Sequence, residues 1–265
     1  MGRIVFKVSV GFVTGALVML AVSLYLANLY LKEHLRLAEI GNLERAGDRV
    51  ELAARLDPFS PDPLSAEAYL ELRQGRTEQA AEAFQKAIWR DPNNYRNYAA
   101  LGNLQRQQLG NPKDAAESYR NALKYNPHAT TVVSLLAEAL SSSEDLEGAK
   151  AQYEWLQERG KISLKDLYNL GKIQVQLGEP GEAIQTFEDA KERVVAGQES
   201  LDESQREAFL ESLDLSIADA LVVQGSYDEA QEILLQSSAE QAPARLALLD
   251  DPESYQRSVL ETPVG

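Results

Sequence analysis

The sequence contains no cysteine, and only two of its 265 residues are histidines. Without cysteine, disulfides, thiolate metal ligands and a cysteine nucleophile are all excluded. His34 and His128 are separated by about three of the repeats described below, so neither a Ser-His-Asp triad nor a histidine metal site is expected. No glycine-rich loop of the phosphate-binding kind occurs. We therefore predict no catalytic residue, no metal, no cofactor and no small-molecule substrate: the chain is not expected to be an enzyme.

Basic residues are also few. The chain has 26 basic and 41 acidic residues, for a net charge of −15. After residue 36 there are 22 basic and 40 acidic residues, which gives this part a net charge of −18. A body this acidic repels nucleic acid and anionic headgroups, so no nucleic-acid partner is expected. The alternative explanation of the charge is solubility alone.

What the sequence does contain is a spaced set of small and large residues that recurs six times. In the first three copies the offsets within the set are four, three and five residues, and the last position is Pro58, Pro92 or Pro127. Successive copies begin 34, 35, 34, 34 and 47 residues apart, at Ala46, Ala80, Ala115, Ala149, Ala183 and Ala230. Offsets of three and four place residues on one face of a helix. Helical units of this length predict an all-α solenoid of about six helix-turn-helix repeats.

Two further marks stay in phase with this set. Five residues before the starting alanine, five of the six copies have a glycine, as a tight turn between helices requires: Gly41, Gly75, Gly110, Gly178 and Gly225. The fourth copy has Glu144 instead. Further upstream a large residue precedes a small one, where two helices are expected to cross closely: Leu101–Gly102, Leu136–Ala137, Leu170–Gly171 and Ile217–Ala218.

With these residues the chain resembles the tetratricopeptide repeat family over roughly residues 30–240. The resemblance implies a right-handed superhelix of antiparallel helix pairs without catalysis, whose concave face, lined by the first helix of each pair, receives a peptide or a partner helix. The groove positions that it implies are Tyr69, Arg73, Arg96, Asn103, Arg106, Glu138, Tyr168, Asn169 and Lys172. The alternative is that these are ordinary solvated side chains.

Residues 8–31 carry no charge over 24 positions. As a helix they extend about 36 Å, enough to cross a hydrocarbon core of about 30 Å. Tyr25 and Tyr30 lie towards the far end, where aromatic rings favour the membrane interface. Gly11 and Gly15 form a Gly-x-x-x-Gly pair against which another membrane helix could pack. The alternative is a cleaved secretory signal with its cleavage site at residues 21–23.

The predicted organisation has three parts: a transmembrane anchor at 1–31, the repeats at 32–240, and a capping helix with a tail at 241–265. No flexible linker separates anchor and repeats, so we expect the membrane helix to continue directly into the first repeat, whose first helix spans about 31–40. The expected repeat boundaries are 31–60, 61–94, 95–129, 130–162, 163–197 and 203–238.

The longest interval between repeats holds an insertion at 194–210, read either as a harmless extension or as a docking edge. Gly197 is expected to end the helix before it, and Ser200 with Glu203 is expected to form a capping box for the next helix. Residues 242–250 read as a short capping helix, and the tail beyond Pro252 is expected to be irregular.

Together these features predict a membrane-anchored scaffold for protein–protein interaction, as an accessory subunit or assembly factor of a larger membrane protein complex. The alternative is a periplasmic chaperone, a holdase or a secretion adaptor that captures peptide segments in the groove. Arg3 and Lys7 are the only charged residues among the first seven. The far flank holds more basic residues, and taken literally the preference of basic flanks for the cytoplasm would keep the repeats there: Lys32, Arg36, Arg45 and Arg49. Because acidic residues dilute that flank and Arg45 and Arg49 belong to a folded repeat, we expect instead a single-pass protein with a cytoplasmic amino terminus and its repeats on the periplasmic-like side.

Overall fold

The computed structural model describes residues 2–197 and 200–262, with the side chains of residues 2–12 left aside. Over this part of the chain the secondary structure consists of fourteen α-helices and no strands. The helices belong to two compact units, Met1–Pro127 and His128–Gly265. The predicted all-α repeat fold is confirmed.

Unit 1 contains three antiparallel helix pairs, in which α1 packs on α2, α3 on α4 and α5 on α6. The bounds are α1 Gly2–Glu39, α2 Leu43–Leu56, α3 Asp62–Arg73, α4 Thr77–Arg90, α5 Tyr95–Gln107 and α6 Pro112–Tyr125. The closing prolines Pro58, Pro92 and Pro127 stand just after α2, α4 and α6, because proline cannot continue a helix there.

Unit 2 also has three pairs, α7 with α8, α9 with α10 and α11 with α12, followed by two short helices. The bounds are α7 Thr130–Ser142, α8 Leu146–Glu158, α9 Leu164–Gln176, α10 Pro180–Val195, α11 Glu203–Gln224, α12 Tyr227–Gln236, α13 Ala242–Leu248 and α14 Pro252–Glu261. In addition, α14 packs on both α9 and α11.

The repeated small and large residues form the core of each helix pair. All six starting alanines are fully buried, and so are the large residues Phe84, Tyr119, Tyr153 and Phe187. The ring of Tyr119 lies against Gly102 and that of Phe187 against Gly171, where a Cβ atom would overlap the ring. The large–small pairs therefore mark close helix crossings, as the sequence predicts.

The turns between paired helices need a left-handed residue. Each of the predicted turn glycines has a φ between 61° and 88°. Glu144 takes the same place in the fourth repeat with a φ of 67°, and among the described residues no other non-glycine residue has a positive φ. The turn geometry is thus conserved among the repeats, although one of them lacks the residue best suited to it.

Replacing Glu144 with Gly should stabilise the protein. The substitution removes the contact between Cβ and the following carbonyl oxygen, and the gain outweighs the added freedom of the unfolded chain, for a net stabilisation of about 0.5–1 kcal/mol. The change can be measured as a rise in the urea midpoint of unfolding. Glu144→Ala is the matched control: it removes the carboxylate but keeps Cβ, so an equal gain in this variant would assign the effect to charge instead of backbone strain.

Two expectations about the insertion and the tail were wrong. The capping box of α11 uses Asp202 and Gln205 instead of Ser200 and Glu203: Asp202 Oδ1 accepts from the backbone N–H of Gln205 at 2.9 Å, and Gln205 Oε1 accepts from that of Asp202 at 3.1 Å. Gly197 does follow the end of α10, with a φ of 66°; positions 198 and 199 lie outside the described residues. Beyond Pro252 the chain is helical, because Asp251 caps α14 by accepting from the backbone N–H of Ser254 at 3.2 Å.

Candidate functional site

The apolar helix α1 has two parts with different surroundings. From Ser23 onwards it packs on the first repeat and buries Ala27, His34, Leu37 and Ala38. The Ser23 hydroxyl donates to the backbone carbonyl of Leu56, at the end of α2, at 2.8 Å. The sequence places the start of this first helix near residue 31, whereas the packing against α2 begins eight residues earlier.

Between residues 13 and 22 the helix makes little contact with the rest of the chain. Its large apolar side chains are exposed at Val13, Leu17, Val18, Met19, Leu20 and Val22. Residues 13–39 are long and apolar enough to cross a membrane, and only 6% of their most apolar 18-residue stretch is buried. Membrane anchors and signal sequences both have this length and composition.

The structure leaves the Gly-x-x-x-Gly pair open. No atom lies within 4 Å of the position that a Cβ on Gly15 would take. Gly11 falls outside the residues whose side-chain surroundings are described. The role of this pair in packing against another membrane helix stays a prediction.

In unit 1 the predicted groove residues lie on the two first helices α3 and α5, which we call, with α1, the unit 1 first-helix face. The Ser65 hydroxyl of α3 donates to the Asn97 side-chain oxygen of α5 at 2.8 Å, which fixes the two helices side by side. The rings of Tyr69 and Phe84 are nearly perpendicular, with 5.2 Å between their centroids. The Arg73 guanidinium donates to the backbone carbonyl of Ala38.

Tyr69 and Arg73 also line a cavity of about 300 Å³ between α1 and α3. Its remaining lining residues are His34, Leu35, Ala38, Glu39 and Leu70. The cavity thus lies on the predicted face, at the first repeat.

The other predicted groove residues of unit 1 lie on α5. The Arg96 guanidinium lies 5.6 Å from the centroid of the Tyr95 ring. The Asn103 side-chain oxygen accepts from the hydroxyl of Tyr119 at 2.8 Å, so this amide joins the two helices of its own repeat. Arg106 is partly buried on the same helix. Their contact with a partner stays a prediction.

In unit 2 the corresponding residues lie on α7 and α9, which form the unit 2 first-helix face together with α11. The Ser134 hydroxyl of α7 donates to Asp166 of α9 at 2.6 Å, the same link between neighbouring first helices as in unit 1. Glu138 forms an ion pair with Lys165 at 2.6 Å. Asn169 donates to the Tyr153 hydroxyl at 3.3 Å, again within its own repeat.

Tyr168 and Lys172 are brought together on this face. The Lys172 ammonium lies 5.8 Å from the centroid of the Tyr168 ring. The same ring lies 6.0 Å from those of Phe187 and Phe209. Burial lowers the pKa of Lys172, and the charge of Asp219 partly opposes this shift. A cation and an aromatic ring therefore share a partly desolvated position.

The chain itself covers this position with α13 and α14. Tyr168 and Lys172 line a cavity of about 370 Å³ whose opposite side is formed by Arg245, Leu248, Tyr255 and Val259 among others. Gln256 of α14 donates to the backbone carbonyl of Val223 at 2.9 Å, and Gln176 of α9 donates to that of Thr262. Part of the predicted groove of unit 2 thus already holds a helix.

Asp219 of α11 holds both short helices in place. Its carboxylate accepts from the Arg245 guanidinium at 3.0 and 3.2 Å and from the Tyr255 hydroxyl at 2.6 Å. Burial raises the pKa of Tyr255, and the charge of Asp219 raises it further, so the hydroxyl is protonated and donates at neutral pH. We refer to Asp219, Arg245 and Tyr255 as the Asp219 cluster.

Comparison with known proteins agrees with this repeat geometry. Family profiles described as tetratricopeptide repeats match residues 64–94, 106–160 and 134–194. The chain belongs to the tetratricopeptide repeat family. No curated protein is similar enough in sequence to count as a relative of this repeat protein.

Several solved structures share the fold. Pseudomonas aeruginosa PilF is 19% identical with a TM-score of 0.58, over 90% of this chain and 98% of PilF. PilW, described as a widely conserved type IV pilus biogenesis factor, is 17% identical with a TM-score of 0.57, over 83% of this chain and 98% of PilW. A fragment of MamA from Desulfovibrio magneticus RS-1 is 21% identical with a TM-score of 0.55, over 63% of this chain and 93% of the fragment. At these identities the likeness is one of fold.

The Asp219 cluster is the feature of this tetratricopeptide repeat protein that the sequence did not reveal. Asp219 directly follows the Ile217–Ala218 pair, but an acidic residue on a helix face has no distinctive signal. The sequence did offer a signal for α14, the helix that carries Tyr255. Asp251 followed by Pro252 is a common helix start, and it lies in the segment expected to be irregular. Over the described residues no group of three or more His, Asp or Glu side chains is arranged to hold a metal ion.

Proposed function

We propose that this protein is a membrane-anchored scaffold that serves as an accessory subunit or assembly factor of a larger membrane protein complex. The observation that carries the proposal is the continuity of α1, a single helix from Gly2 to Glu39. Its first part exposes apolar side chains, and its second part is the first helix of the first repeat. The anchor and unit 1 therefore share one rigid element.

This continuity favours a scaffold over a tethered receptor. A flexible linker lets a domain search a large volume, whereas a helix fixes its distance and orientation. Such a fixed position is useful when the protein must meet other subunits at one height above the membrane. A receptor that captures passing chains gains nothing from it.

A flexible insertion tests the proposal. A Gly-Ser linker of about ten residues placed between Val22 and Ser23 should leave the protein in the membrane fraction but uncouple unit 1 from the anchor. We expect the native protein to be extracted by mild detergent in fixed stoichiometry with partner subunits, measured by native mass spectrometry, and the insertion variant to lose them. The same linker after Ser200, between α10 and α11, is the control. Stoichiometric partners retained with both insertions would contradict a scaffold that depends on rigidity.

We further propose that the amino terminus is cytoplasmic and the repeats lie across the membrane. The support is Arg3 and Lys7 at the short end of the helix, without an acidic residue between them. Protease added to intact spheroplasts should then digest the repeats. Digestion only after lysis would place the repeats in the cytoplasm instead.

A second candidate function is capture of peptide segments on the unit 2 first-helix face. It is supported by α14, a helix of this chain that already lies on α9 and α11 beside Tyr168 and Lys172. A partner helix that binds the same residues would compete with α14 for this place. The variant that tests this competition is the first one treated in the Discussion.

A further inference from the structure

Two aromatic side chains of unit 1 are almost fully exposed at the same end of the helix pairs. Phe59, in the turn after α2, is 87% exposed, and Trp89, in the last turn of α4, is 82% exposed. A single exposed aromatic residue is common on soluble proteins, but a pair at one edge, next to an apolar helix, is more informative. We call this surface, formed by the turn 57–61 and the end of α4, the Phe59–Trp89 edge.

Hydrogen bonds fix this edge at a definite level along α1. Ser23 of α1 donates to the carbonyl of Leu56, the last residue of α2. In the turn that follows, the backbone N–H of Ser60 donates to Asp57 at 3.2 Å. The Arg90 guanidinium, next to Trp89, donates to the carbonyl of Ser60 at 3.3 Å. The edge therefore lies close to the level of Ser23, where α1 leaves the repeat.

The part of α1 before Ser23 has the length of one membrane crossing. Residues 2–22 form 21 helical residues, which extend about 31 Å beyond the edge, against a hydrocarbon core of about 30 Å. Tyr25 is exposed at the junction. If the crossing instead continued to Leu31, as the sequence suggested, the end of α2 would enter the hydrocarbon with its Glu51–Arg55 ion pair. Because buried charges are costly in lipid, the membrane boundary must lie near Ser23.

We propose that the Phe59–Trp89 edge rests on the bilayer that holds α1, with both rings at the boundary between headgroups and acyl chains. The inference depends on the proposed membrane anchor and adds which surface of the repeats faces the lipid. Aromatic rings with an apolar body favour this depth. Arg55 and Arg90 lie exposed in the last turns of α2 and α4 at the same edge, where they can meet lipid phosphates.

The acidic residues of the edge are directed towards its own backbone. Asp57 accepts from the N–H of Ser60, and Asp91 accepts from that of Asn93 at 3.2 Å. Their charge is thus partly satisfied within the turns. Asp57 and Asp91 are accordingly half-buried, whereas the aromatic and basic side chains of the edge are exposed.

The chain contains only two tryptophans, which makes the edge directly measurable. Trp155→Phe leaves Trp89 as the single tryptophan reporter in the full-length protein, reconstituted in phosphatidylcholine–phosphatidylglycerol nanodiscs that contain a lipid with a nitroxide quencher near the headgroup. We expect most of the Trp89 emission to be quenched. In the control variant, Trp89→Phe and Trp155→Phe are combined with Ile40→Trp. Ile40 is 67% exposed and lies on the same side of the repeats as the Gly41 turn, about 26 Å further along α1 from Ser23, so little quenching is expected there.

The outcomes separate the two proposals. Failure of the native chain to remain with liposomes after carbonate extraction and flotation would remove the membrane anchor and this inference together. Stable anchoring with weak quenching of Trp89 would overturn the edge contact alone. Equal quenching of the reporters at positions 89 and 40 would also overturn it, since the repeats would then lie flat on the lipid instead of standing on this edge.

Discussion

Asp219→Ala is expected to release α13 and α14 from the unit 2 first-helix face and to destabilise this docking by about 2–4 kcal/mol. Three hydrogen bonds converge on the carboxylate: two from Arg245 and one from Tyr255. Removing it leaves a partly buried guanidinium and a buried hydroxyl without their acceptor. Because Ala242 and Tyr255 are the only fully buried residues of the two short helices, re-solvation of these groups should favour the undocked state.

Amide hydrogen exchange measures this release directly. The backbone amides of residues 252–261 should exchange much faster in Asp219→Ala, while those of α9 and α10 keep their protection. Asp214→Ala is the matched control, since Asp214 lies on the same helix and forms a 2.7 Å ion pair with Lys191 that does not involve α14. Unchanged protection of α14 in Asp219→Ala would show that the packing of Tyr255 and the hydrogen bonds of Gln256 and Gln176 hold the helix without the carboxylate.

The same variant tests the second candidate function. If the protein captures peptide segments on α9 and α11, removing α14 exposes Tyr168 and Lys172 to a competing chain. Asp219→Ala should then bind an unfolded reporter protein more tightly than the native chain, as measured by anisotropy, whereas Asp214→Ala should not. Equal binding by all three proteins would favour the scaffold function over capture at this face.

The repeats could be predicted because their signals are local and stay in phase. A turn glycine, the starting alanine and a bulky residue each recur at a fixed offset, and each reflects a contact made within one helix pair. Glu144 shows how much the phase matters: the residue is unsuited to a φ of 67°, yet the neighbouring repeat pattern still places the turn there.

Two features could not be predicted in the same way, because they depend on contacts between residues distant in sequence. They are the docking of α14 on the unit 2 first-helix face and the point at which α1 begins to pack on α2. Tyr255 and Asp219 are separated by 36 residues, and Ser23 and Leu56 by 33. Neither pair belongs to the repeated pattern. A helix as apolar as α1 also gives no signal of where its packing on the repeats begins, since Ala27 would suit an exposed apolar face and a packed one. The start of this packing follows only from the position of α2.

Gly171→Ala is expected to destabilise unit 2 by about 2 kcal/mol, although alanine is the better helix former. A Cβ at this position would lie 2.7 Å from Phe187 Cζ and closer still to Cε1. Phe187 is fully buried, so its ring cannot move away without displacing its own neighbours. The overpacking therefore outweighs the gain of about 1 kcal/mol in helix propensity. The loss should appear as a lower urea midpoint of unfolding followed by circular dichroism.

A double-mutant cycle with Phe187→Leu identifies the cause. The smaller side chain vacates space beside residue 171, so Gly171→Ala should cost at least about 1 kcal/mol less in that background than in the native one. Gly181→Ala is the control for helix propensity, because no atom lies within 4 Å of its Cβ position, and it should be neutral or slightly stabilising. If Gly171→Ala costs the same with Phe or Leu at position 187, the close crossing of α9 and α10 is not what requires glycine there.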